Sequence, residues 1–393
     1  MTANLRLAID ANEANVAHRV GSNTYAFELL QELYKLTAKR QLQISILLSG
    51  PRQPDLPKPR SNWRYVYVTP RKFWTQWALP IHLFLHQKDY DVFFTFSHYA
   101  PRISSVPYVS CVMDLAFLEY PEQFRRNDRL QLTHWTRYSV KNARRVITIS
   151  KFSQAEIVKH YRRSAKDITV AYPSFSLPAS ADKTTLKAWF KERGIVGPYF
   201  LYLGTLQPRK NLSTLISAYE ELLRRVAAAN LKSKKGKAAA RLATPQLVIA
   251  GKVGWLAEPI LARIQQSPAA KQIILTDFVP DDHKKALYQN ALASVLVSLY
   301  EGFGIPPLES MQVGTPAIVS HDSSLPEVVG KTGFLVDPHN PHQLADTMLE
   351  VLQAPAAKRE QWRKAALRQA KKFSWRDSAV ILLRQLEGIA RGH

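Results

Sequence analysis

The sequence contains very little cysteine, since Cys111 is the only one among 393 residues. A single cysteine excludes an intramolecular disulfide and any metal site made of several thiolates, and it is typical of a reducing compartment. No apolar run comes near the roughly 20 residues that a membrane-spanning helix requires. The first residues also lack the basic start and long apolar core of a secretion signal. These absences predict a cytoplasmic protein, at most peripheral on the inner face of the cell membrane.

Acidic residues are scarce relative to basic ones, and the formal net charge is +23. Residues 121–166 hold twelve basic and three acidic residues, and residues 224–241 hold seven basic residues and no acidic one. The composition is otherwise that of a folded globular protein, with 46% hydrophobic and 10% aromatic residues. Charge of this kind suits a nucleic acid or an anionic membrane, so both partners have to be weighed.

Short β-branched or aromatic runs alternate with segments of helical period along the whole chain. This alternation predicts parallel sheets covered by helices. One helix is predicted at Thr24–Lys39. The predicted strands are Leu5–Ile9, Gln43–Leu48, Arg64–Val68, Val92–Phe96, Tyr108–Met113, Val146–Ile149, Ile168–Ala171, Phe200–Leu203, Leu247–Ala250, Ile273–Leu275, Ser294–Leu299, Ala317–Val319 and Phe334–Val336.

A Pro- and Ser-rich stretch at Tyr172–Ala181 separates the two series of strands and predicts an interdomain linker. The fold class is therefore α/β, with two Rossmann-like domains facing each other across a cleft. We place the domains at residues 1–175 and 176–393. The last helix, about 374–391, is a candidate for crossing back to the first domain. The Lys- and Ala-rich segment Lys232–Ala240 is interpreted as a solvated loop.

The strongest motif is the segment Ser298–Glu309, which follows an apolar strand directly. Gly302 and Gly304 let backbone N–H groups approach a ligand, and a helix that opens there points its N-terminus at an anion such as a diphosphate. Glu301 then stays on the loop, and Glu309 lies about one turn into the helix. Glycines also serve sharp turns for structural reasons alone, so the motif by itself leaves a structural role open.

The spacing of Glu301 and Glu309 resembles the Glu-x7-Glu motif of retaining glycosyltransferases. With the segments that continue the pattern, the chain resembles glycosyltransferase family 4, closely over 199–340 and more loosely before 170. Those segments are Gly314–Pro316, Leu325–Glu327 and Gly333–Asp337. The resemblance implies the two-domain GT-B architecture.

The same resemblance implies transfer of a mannose-, glucose- or rhamnose-type sugar, with retention of anomeric configuration. The donor is a nucleotide-diphosphate sugar and the acceptor a glycan or a lipid-linked molecule. The pathway is cell-surface polysaccharide or glycolipid synthesis. In this reading Glu301 is a catalytic residue that holds sugar hydroxyls and steadies the positively charged transition state.

The resemblance also implies a donor site in the second domain. The segment Leu203–Asn211 is similar to the family's donor-phosphate loop, so Lys210 and Arg209 are expected to neutralise the leaving nucleotide. Some relatives have arginine where this chain has Thr205, so Arg209 is expected to carry more of that role. Gly302, Phe303 and Gly304 belong to the same predicted donor site.

A third segment, Asp277–Asp282, resembles the family's nucleobase loop. Backbone groups around Val279 are expected to contact the base, while Glu309 contacts the ribose hydroxyls. Asp281 or Asp282 is also expected to cap the helix that follows, and both roles are compatible.

In the first domain, Gly21 precedes the helix predicted from Thr24 and resembles the family's glycine loop over the donor phosphates. The predicted strand that starts at Tyr108 ends in Met113 and Asp114, where many relatives have His-Asp. This departure leaves Asp114 as the predicted acceptor-orienting catalytic residue.

Metal dependence has to be weighed, because sugar-nucleotide enzymes of another architecture hold a divalent cation with an Asp-x-Asp motif. This chain contains Asp89 and Asp91 in that spacing, but they precede the strand Val92–Phe96 at its amino end. Ligands gather at carboxyl ends, so we interpret the pair as structural. No metal and no other cofactor is expected, and the nucleotide sugar is a substrate.

Three alternatives remain. A sugar-nucleotide epimerase or a phosphorylase would use the same scaffold. A nucleic-acid-binding protein would account for the charge, but it leaves Glu301, Glu309 and the glycine turn unexplained. An anionic membrane surface would account for the basic segment 121–166 together with the aromatic residues of Arg71–Trp77, unless those aromatics belong to the core.

Overall fold

The computed structural model describes residues 4–233 and 241–392. The chain divides into two compact units. Unit 1 combines Met1–Pro173 with Ser374–His393, and unit 2 is the continuous stretch Ser174–Phe373. Among the described residues, no helix has both the length and the apolar character needed to cross a membrane.

Unit 1 is built on a parallel sheet of seven strands. They are β1 (Leu5–Asp10), β2 (Leu42–Leu48), β3 (Trp63–Tyr67), β4 (Val92–Thr95), β5 (Tyr108–Cys111), β6 (Arg145–Thr148) and β7 (Ile168–Val170). Their order in the sheet is β3-β2-β1-β4-β5-β6-β7. Strands β4 and β5 are buried at every residue, because helices cover both faces of the sheet.

The helices of the first stretch of unit 1 are α1 (Ser22–Leu36), α2 (Leu79–Leu85), α3 (Ala116–Glu119), α4 (Arg126–Asn142) and α5 (Lys151–Tyr161). A π-helical turn, Trp74–Ala78, leads into α2. The sheet order reverses between β1 and β4, which is the point where such sheets bind ligands at their carboxyl edge.

Unit 2 repeats this plan with six parallel strands. They are β8 (Tyr199–Leu203), β9 (Gln246–Ala250), β10 (Ile273–Leu275), β11 (Ala293–Leu296), β12 (Ala317–Ser320) and β13 (Phe334–Val336). Their order is β10-β9-β8-β11-β12-β13, so the reversal lies between β8 and β11. The helices are α6 (Lys183–Glu192), α7 (Leu212–Ser233), α8 (Glu258–Gln265), α9 (Asp281–Gln289), α10 (Ile305–Gln312), α11 (Leu325–Val329), α12 (Pro341–Gln353) and α13 (Ala356–Ala370).

The last helix, α14 (Trp375–Ala390), is part of unit 1. The ring centroids of Trp375 and Tyr25 lie 5.7 Å apart, and the Ser378 hydroxyl donates to the carbonyl of Tyr172 at 2.5 Å. Its apolar face, with Leu382 and Leu386, is fully buried. The domain bounds therefore differ from the predicted 1–175 and 176–393, because burial of this face attaches the C-terminal helix to the first unit.

Each predicted strand is present, with ends that differ from prediction by at most three residues. The largest difference is at β11, which ends at Leu296 rather than Leu299 because the chain turns there into the glycine loop. The predicted helix Thr24–Lys39 corresponds to α1, which ends at Leu36. The unit boundary falls inside the predicted linker. Of the predicted loop Lys232–Ala240, residues 234–240 lie outside the described residues.

Candidate functional site at the carboxyl edge of unit 2

The loops that follow β8, β9 and β10 are joined by backbone hydrogen bonds. The amide of Gly204 donates to the carbonyl of Ala250 at 2.9 Å, and the amide of Gly251 donates to the carbonyl of Asp277 at 2.8 Å. A Cβ atom at Gly251 would lie 2.1 Å from the carbonyl oxygen of Gly204. Glycine is therefore required for these loops to meet, and they form one continuous rim at the end of the sheet.

The turn from β11 into α10 is fixed by one glycine and one serine. Gly304 takes a φ of 114°, and a Cβ there would lie 2.6 Å from Cδ2 of Leu325. The Ser324 hydroxyl lies 2.8 Å from the carbonyl of Glu301 and 2.7 Å from that of Phe303. The helix opens after Gly304, as the motif predicts, and Glu301 stays on the loop.

Glu301 is buried at the centre of this edge. The Lys210 ammonium bonds to its Oε1, Arg209 Nη1 lies 3.5 Å from its Oε2, and the Ser298 hydroxyl donates to Oε1 at 2.7 Å. Burial alone would raise the pKa of Glu301, but the charges of Lys210 and Arg209 hold that pKa below its ordinary value. The carboxylate is therefore ionised at neutral pH.

A short 3₁₀ turn, Pro208–Lys210, holds the two basic residues. Arg209 Nη1 also donates to the carbonyl of Tyr300 at 2.9 Å. Asn211 takes a left-handed conformation and donates to the carbonyls of Val297 at 3.2 Å and Pro338 at 2.7 Å. These bonds join the β8 loop to the loops that follow β11 and β13. Two cations beside one carboxylate leave an excess positive charge at the strand ends, which suits a diphosphate.

Thr205 lies on the same rim, three residues before Pro208, and is exposed. Its carbonyl accepts a hydrogen bond of 3.0 Å from the hydroxyl of Tyr202. The Thr205 side chain thus remains at the surface of the loop, where the resemblance predicts donor contact.

Glu309 has a different environment, one turn into α10. Its side chain is buried, and the hydroxyl of Tyr288 donates to Oε2 at 2.6 Å. Burial raises the pKa of Glu309, and the nearby charge of Lys284 only partly opposes this. The two acids of the motif therefore have different partners and opposite pKa shifts, which is how paired carboxylates acquire different roles.

The predicted nucleobase loop exposes an aromatic residue that the sequence analysis did not single out. The side chain of Val279 is buried in the unit core, whereas Phe278 beside it is exposed. The Nζ atom of Lys252, from the β9 loop, lies 4.9 Å from the centroid of the Phe278 ring. The signal in the sequence was an aromatic residue at the strand end next to Val279.

The expected capping of α9 by Asp281 or Asp282 is wrong. Pro280 occupies the N-cap position and no side chain caps the helix, because both acids lie inside its first turn. Asp281 pairs with Lys284 at 2.6 Å, and Asp282 lies 2.7 Å from Nδ1 of His283. Acids in a first turn still complement the helix dipole.

Gly21 and Asp114, the other two predicted site residues, lie in unit 1. Gly21 is the N-cap of α1 with a φ of 52°, and its surroundings are open. Asp114 follows β5, and its Oδ1 accepts a hydrogen bond of 3.0 Å from the amide of Ala116. Asp114 therefore stands at the carboxyl edge of the sheet, and it also begins the turn into α3.

Three further polar residues lie at the end of β1 or in the loops after β1 and β4, at the same edge of unit 1, and were not predicted as site residues. Asp10 is the buried last residue of β1, and it accepts a hydrogen bond of 2.9 Å from the hydroxyl of Thr95. Burial raises the pKa of both Asp10 and Glu13. His98 follows β4, and burial lowers its pKa to about 4. Their position within four residues of the ends of predicted strands was the available signal.

The Asp-x-Asp pair makes structural contacts, in agreement with its interpretation. Asp91 accepts hydrogen bonds from the backbone amide of Arg6 at 2.7 Å and from its guanidinium at 2.6 Å. Asp89 lies 3.0 Å from Nδ1 of His86. Both contacts are at the amino end of β4.

In the described part of the chain, one carboxylate–histidine group has the spacing of a metal site. It consists of Glu119, Glu156 and His160 in unit 1. The Lys159 ammonium already bonds to Glu119 at 2.9 Å and to Glu156 at 3.3 Å. Together with His160 this ammonium lowers the pKa of Glu119 to about 2, so the group is an ion-pair cluster rather than an open cation site.

Comparison with known proteins decides the family. The family model described as Glycosyltransferase Family 4 matches residues 20–177, and the model described as Glycosyl transferases group 1 matches residues 187–369. The chain belongs to the family 4 type of glycosyltransferases. Each of its two units thus matches one of the two family models.

Among curated relatives, this glycosyltransferase is 31% identical over 275 residues to O-antigen chain mannosyltransferase B of Escherichia coli, a match that covers 68% of the chain and 66% of that relative. It is 34% identical over 194 residues to the serotype-specific mannosyltransferase WbdA of Escherichia coli, covering 49% of the chain and 22% of WbdA. The match therefore spans just under two thirds of the first relative and about a fifth of the second.

Solved structures confirm the GT-B fold of this glycosyltransferase. Sucrose-phosphate synthase from Thermosynechococcus elongatus is similar with a TM-score of 0.71 at 19% identity, covering 99% of the chain and 100% of that structure. Anabaena HepE in complex with UDP and glucose is similar with a TM-score of 0.68 at 16% identity. The match covers 97% of the chain and 99% of that structure.

Proposed function

We propose that this glycosyltransferase moves a hexose of the mannose, glucose or rhamnose type from a nucleotide-diphosphate donor to a glycan or lipid-linked acceptor, with retention of configuration. The observation that carries the proposal is the ionised carboxylate of Glu301, held between Lys210 and Arg209 at the carboxyl edge of unit 2. A buried anion beside two cations suits a reaction that separates a positive sugar from a negative diphosphate.

The donor diphosphate would bind against Arg209, Lys210 and the backbone N–H groups at the start of α10. This arrangement balances the leaving group without a metal. The ribose would bind near Glu309, and the base near the backbone of Val279 and the ring of Phe278.

In the proposed reaction the bond from the anomeric carbon to the phosphate oxygen breaks, and its electron pair stays with the departing phosphate. The acceptor hydroxyl attacks the same face of the sugar and gives its proton to that phosphate. Glu301 steadies the positive charge on the ring and does not bond to it covalently. Asp114 orients the acceptor hydroxyl.

The relatives support this proposal at the level of the sugar and the pathway. Two of them bear names of mannosyltransferases of O-antigen synthesis or serotype, and one similar structure holds UDP and glucose. We accordingly propose a role in cell-surface polysaccharide synthesis at the cytoplasmic face of the membrane.

The test is an assay of nucleotide release from a panel of UDP-, GDP-, TDP- and ADP-sugars, with and without acceptor and with excess EDTA. We expect release that requires the acceptor and survives EDTA, and a product whose anomeric configuration by NMR equals that of the donor. Acceptor-independent conversion of the sugar would favour the epimerase alternative. An inverted product or strict dependence on a divalent cation would overturn the proposed mechanism.

A further inference from the structure

An apolar stripe, here called the α2 stripe, runs along the outer face of the π-helical turn Trp74–Ala78 and of α2, which follows it, in unit 1. It consists of Trp77 from the turn and Ile81, Phe84 and Leu85 from α2, and their spacing places them on one side of the helix. Trp77 is 65% exposed and Leu85 is 71% exposed. The opposite face, which includes Leu79 and Leu83, is buried in the core. The segment is thus apolar on both sides, and one side faces water.

The structure corrects the aromatic segment that the sequence suggested. Trp74 is buried, and its indole N–H donates to the carbonyl of Val68 at 2.9 Å, so it belongs to the core. Trp77 is the tryptophan that remains outside. The exposed apolar surface then runs on into α2, beyond the predicted Arg71–Trp77.

A basic stripe lies on α4. Its exposed basic residues are Arg126, Arg137 and Lys141, at helical spacing with the exposed Leu130 and His134 between them, and Asp128 is the single acid of this helix. The helix contributes Val140 to the same buried cluster as Leu79 and Leu83.

The two stripes belong to one layer of unit 1. The Ser139 hydroxyl of α4 donates to the carbonyl of His98 at 2.6 Å, and the Ser105 hydroxyl donates to the carbonyl of Leu83 at 2.8 Å. The loop after β4 therefore ties both helices together over one face of the sheet. Their exposed sides consequently face away from the sheet in the same layer.

We propose that this layer docks on an anionic lipid bilayer, with the α2 stripe among the acyl chains and the α4 stripe against the headgroups. Apolar insertion and basic contact act together in such surfaces. A symmetric contact between two copies of the chain would bring two basic stripes toward each other, which the charge opposes. The proposal names a partner for the transferase but does not depend on its donor chemistry.

The test is vesicle sedimentation of the full chain without donor or acceptor, using phosphatidylcholine vesicles with and without phosphatidylglycerol at low and high salt. We expect binding to the anionic vesicles that falls with salt. Leu85→Asp should lower the bound fraction on the order of tenfold, because it places a charge where acyl chains would be. Leu231→Asp is the matched control, since Leu231 on α7 of unit 2 is 64% exposed and should bind like the wild type.

A second variant, Arg137→Glu with Lys141→Glu, should weaken binding to anionic vesicles and reduce its salt dependence, because part of the basic stripe is lost. Thermal unfolding checks that each variant is folded, and transfer to a soluble acceptor is measured separately. The proposal is overturned if the wild type binds equally to vesicles with and without phosphatidylglycerol. It is also overturned if the bound fraction of Leu85→Asp equals that of Leu231→Asp. A dimer in sedimentation velocity that Leu85→Asp dissociates would assign the α2 stripe to a second copy instead.

Discussion

Glu301 and Glu309 are both buried on one loop-to-helix segment, yet their neighbours differ in charge. Glu301 touches Lys210 and lies near Arg209, whereas Glu309 accepts a hydrogen bond from a neutral tyrosine. Burial raises the pKa of Glu309 above the ordinary value of 4.5, whereas at Glu301 the charges of Lys210 and Arg209 outweigh the effect of burial and lower the pKa. The charged neighbours of Glu301 are consistent with a position near the reacting sugar. The neutral polar contact of Glu309 is consistent with a position near the ribose.

Substitution of the two acids should therefore have different kinetic effects. Glu301→Gln should lower kcat by about 100-fold or more, because an electrostatic partner of the transition state is lost. Glu309→Gln should mainly raise the KM for the donor. Steady-state kinetics with varied donor distinguishes these effects. Equally mild losses in both variants would mean that the motif is only a structural turn.

The same pair makes a prediction about stability and pH. The folded-state pKa of Glu309 is raised above the unfolded-state value of about 4.5. Its contribution to the free energy of unfolding is therefore complete below about pH 4.5 and is lost as the pH rises through the folded-state pKa. The folded-state pKa of Glu301 is lowered. Its contribution to the free energy of unfolding is therefore present above about pH 4.5 and is lost as the pH falls through the folded-state pKa.

Thermal unfolding from pH 3 to 8 can check these signs. The wild-type Tm minus that of Glu309→Gln should decrease as the pH rises, and the wild-type Tm minus that of Glu301→Gln should increase. Parallel curves for the two variants would contradict the assigned charge states.

At the scale of elements, the turn between β11 and α10 depends on one backbone conformation. Gly304→Ala adds a Cβ that meets Leu325 at 2.6 Å in a backbone with a φ of 114°. Strain of this kind costs about 1–3 kcal/mol, before any shift of Leu325. We expect a lower Tm together with weaker donor binding, because the N–H groups at the start of α10 move with the turn. Thermal unfolding and donor titration measure both effects.

The control for this turn is Gly50→Ala, where an added Cβ meets nothing within 4 Å. Its Tm should stay close to that of the wild type. If Gly304→Ala unfolds at the same temperature as Gly50→Ala and binds donor normally, the turn is not under the constraint that we describe.

The strands were predictable because a parallel sheet covered on both faces needs continuous apolar runs, such as Val92–Thr95. The contact between Lys210 and Glu301 was not, because the two residues are 91 positions apart and no local pattern records which loops meet. Family resemblance named both residues without indicating that they touch. Trp74 and Trp77 make the same point for burial, since they lie in one segment and only the fold puts one inside.

At the scale of the whole molecule, the two units differ in how the chain builds them. Unit 2 is one continuous stretch with its own apolar core, and it contains the donor-side candidates from Thr205 to Glu309. Unit 1 needs the first 173 residues and also the C-terminal segment that begins at Ser374. The chain therefore leaves unit 1 once, forms unit 2 and returns, which agrees with the expectation that the last helix, about 374–391, crosses back to the first domain.

This arrangement predicts unequal behaviour of the isolated pieces. The segment 174–373 should fold alone and be stabilised by a nucleoside diphosphate in a thermal-shift assay, and Lys210→Ala in that segment should reduce the shift. The segment 1–173 should be unstable without α14, which buries Leu382, Leu383 and Leu386. At about 1.5–3 kcal/mol for each buried side chain, this loss is comparable to the total stability of a domain, about 5–15 kcal/mol. A cooperative unfolding transition in 1–173 alone, or an unfolded 174–373, would contradict the division into units.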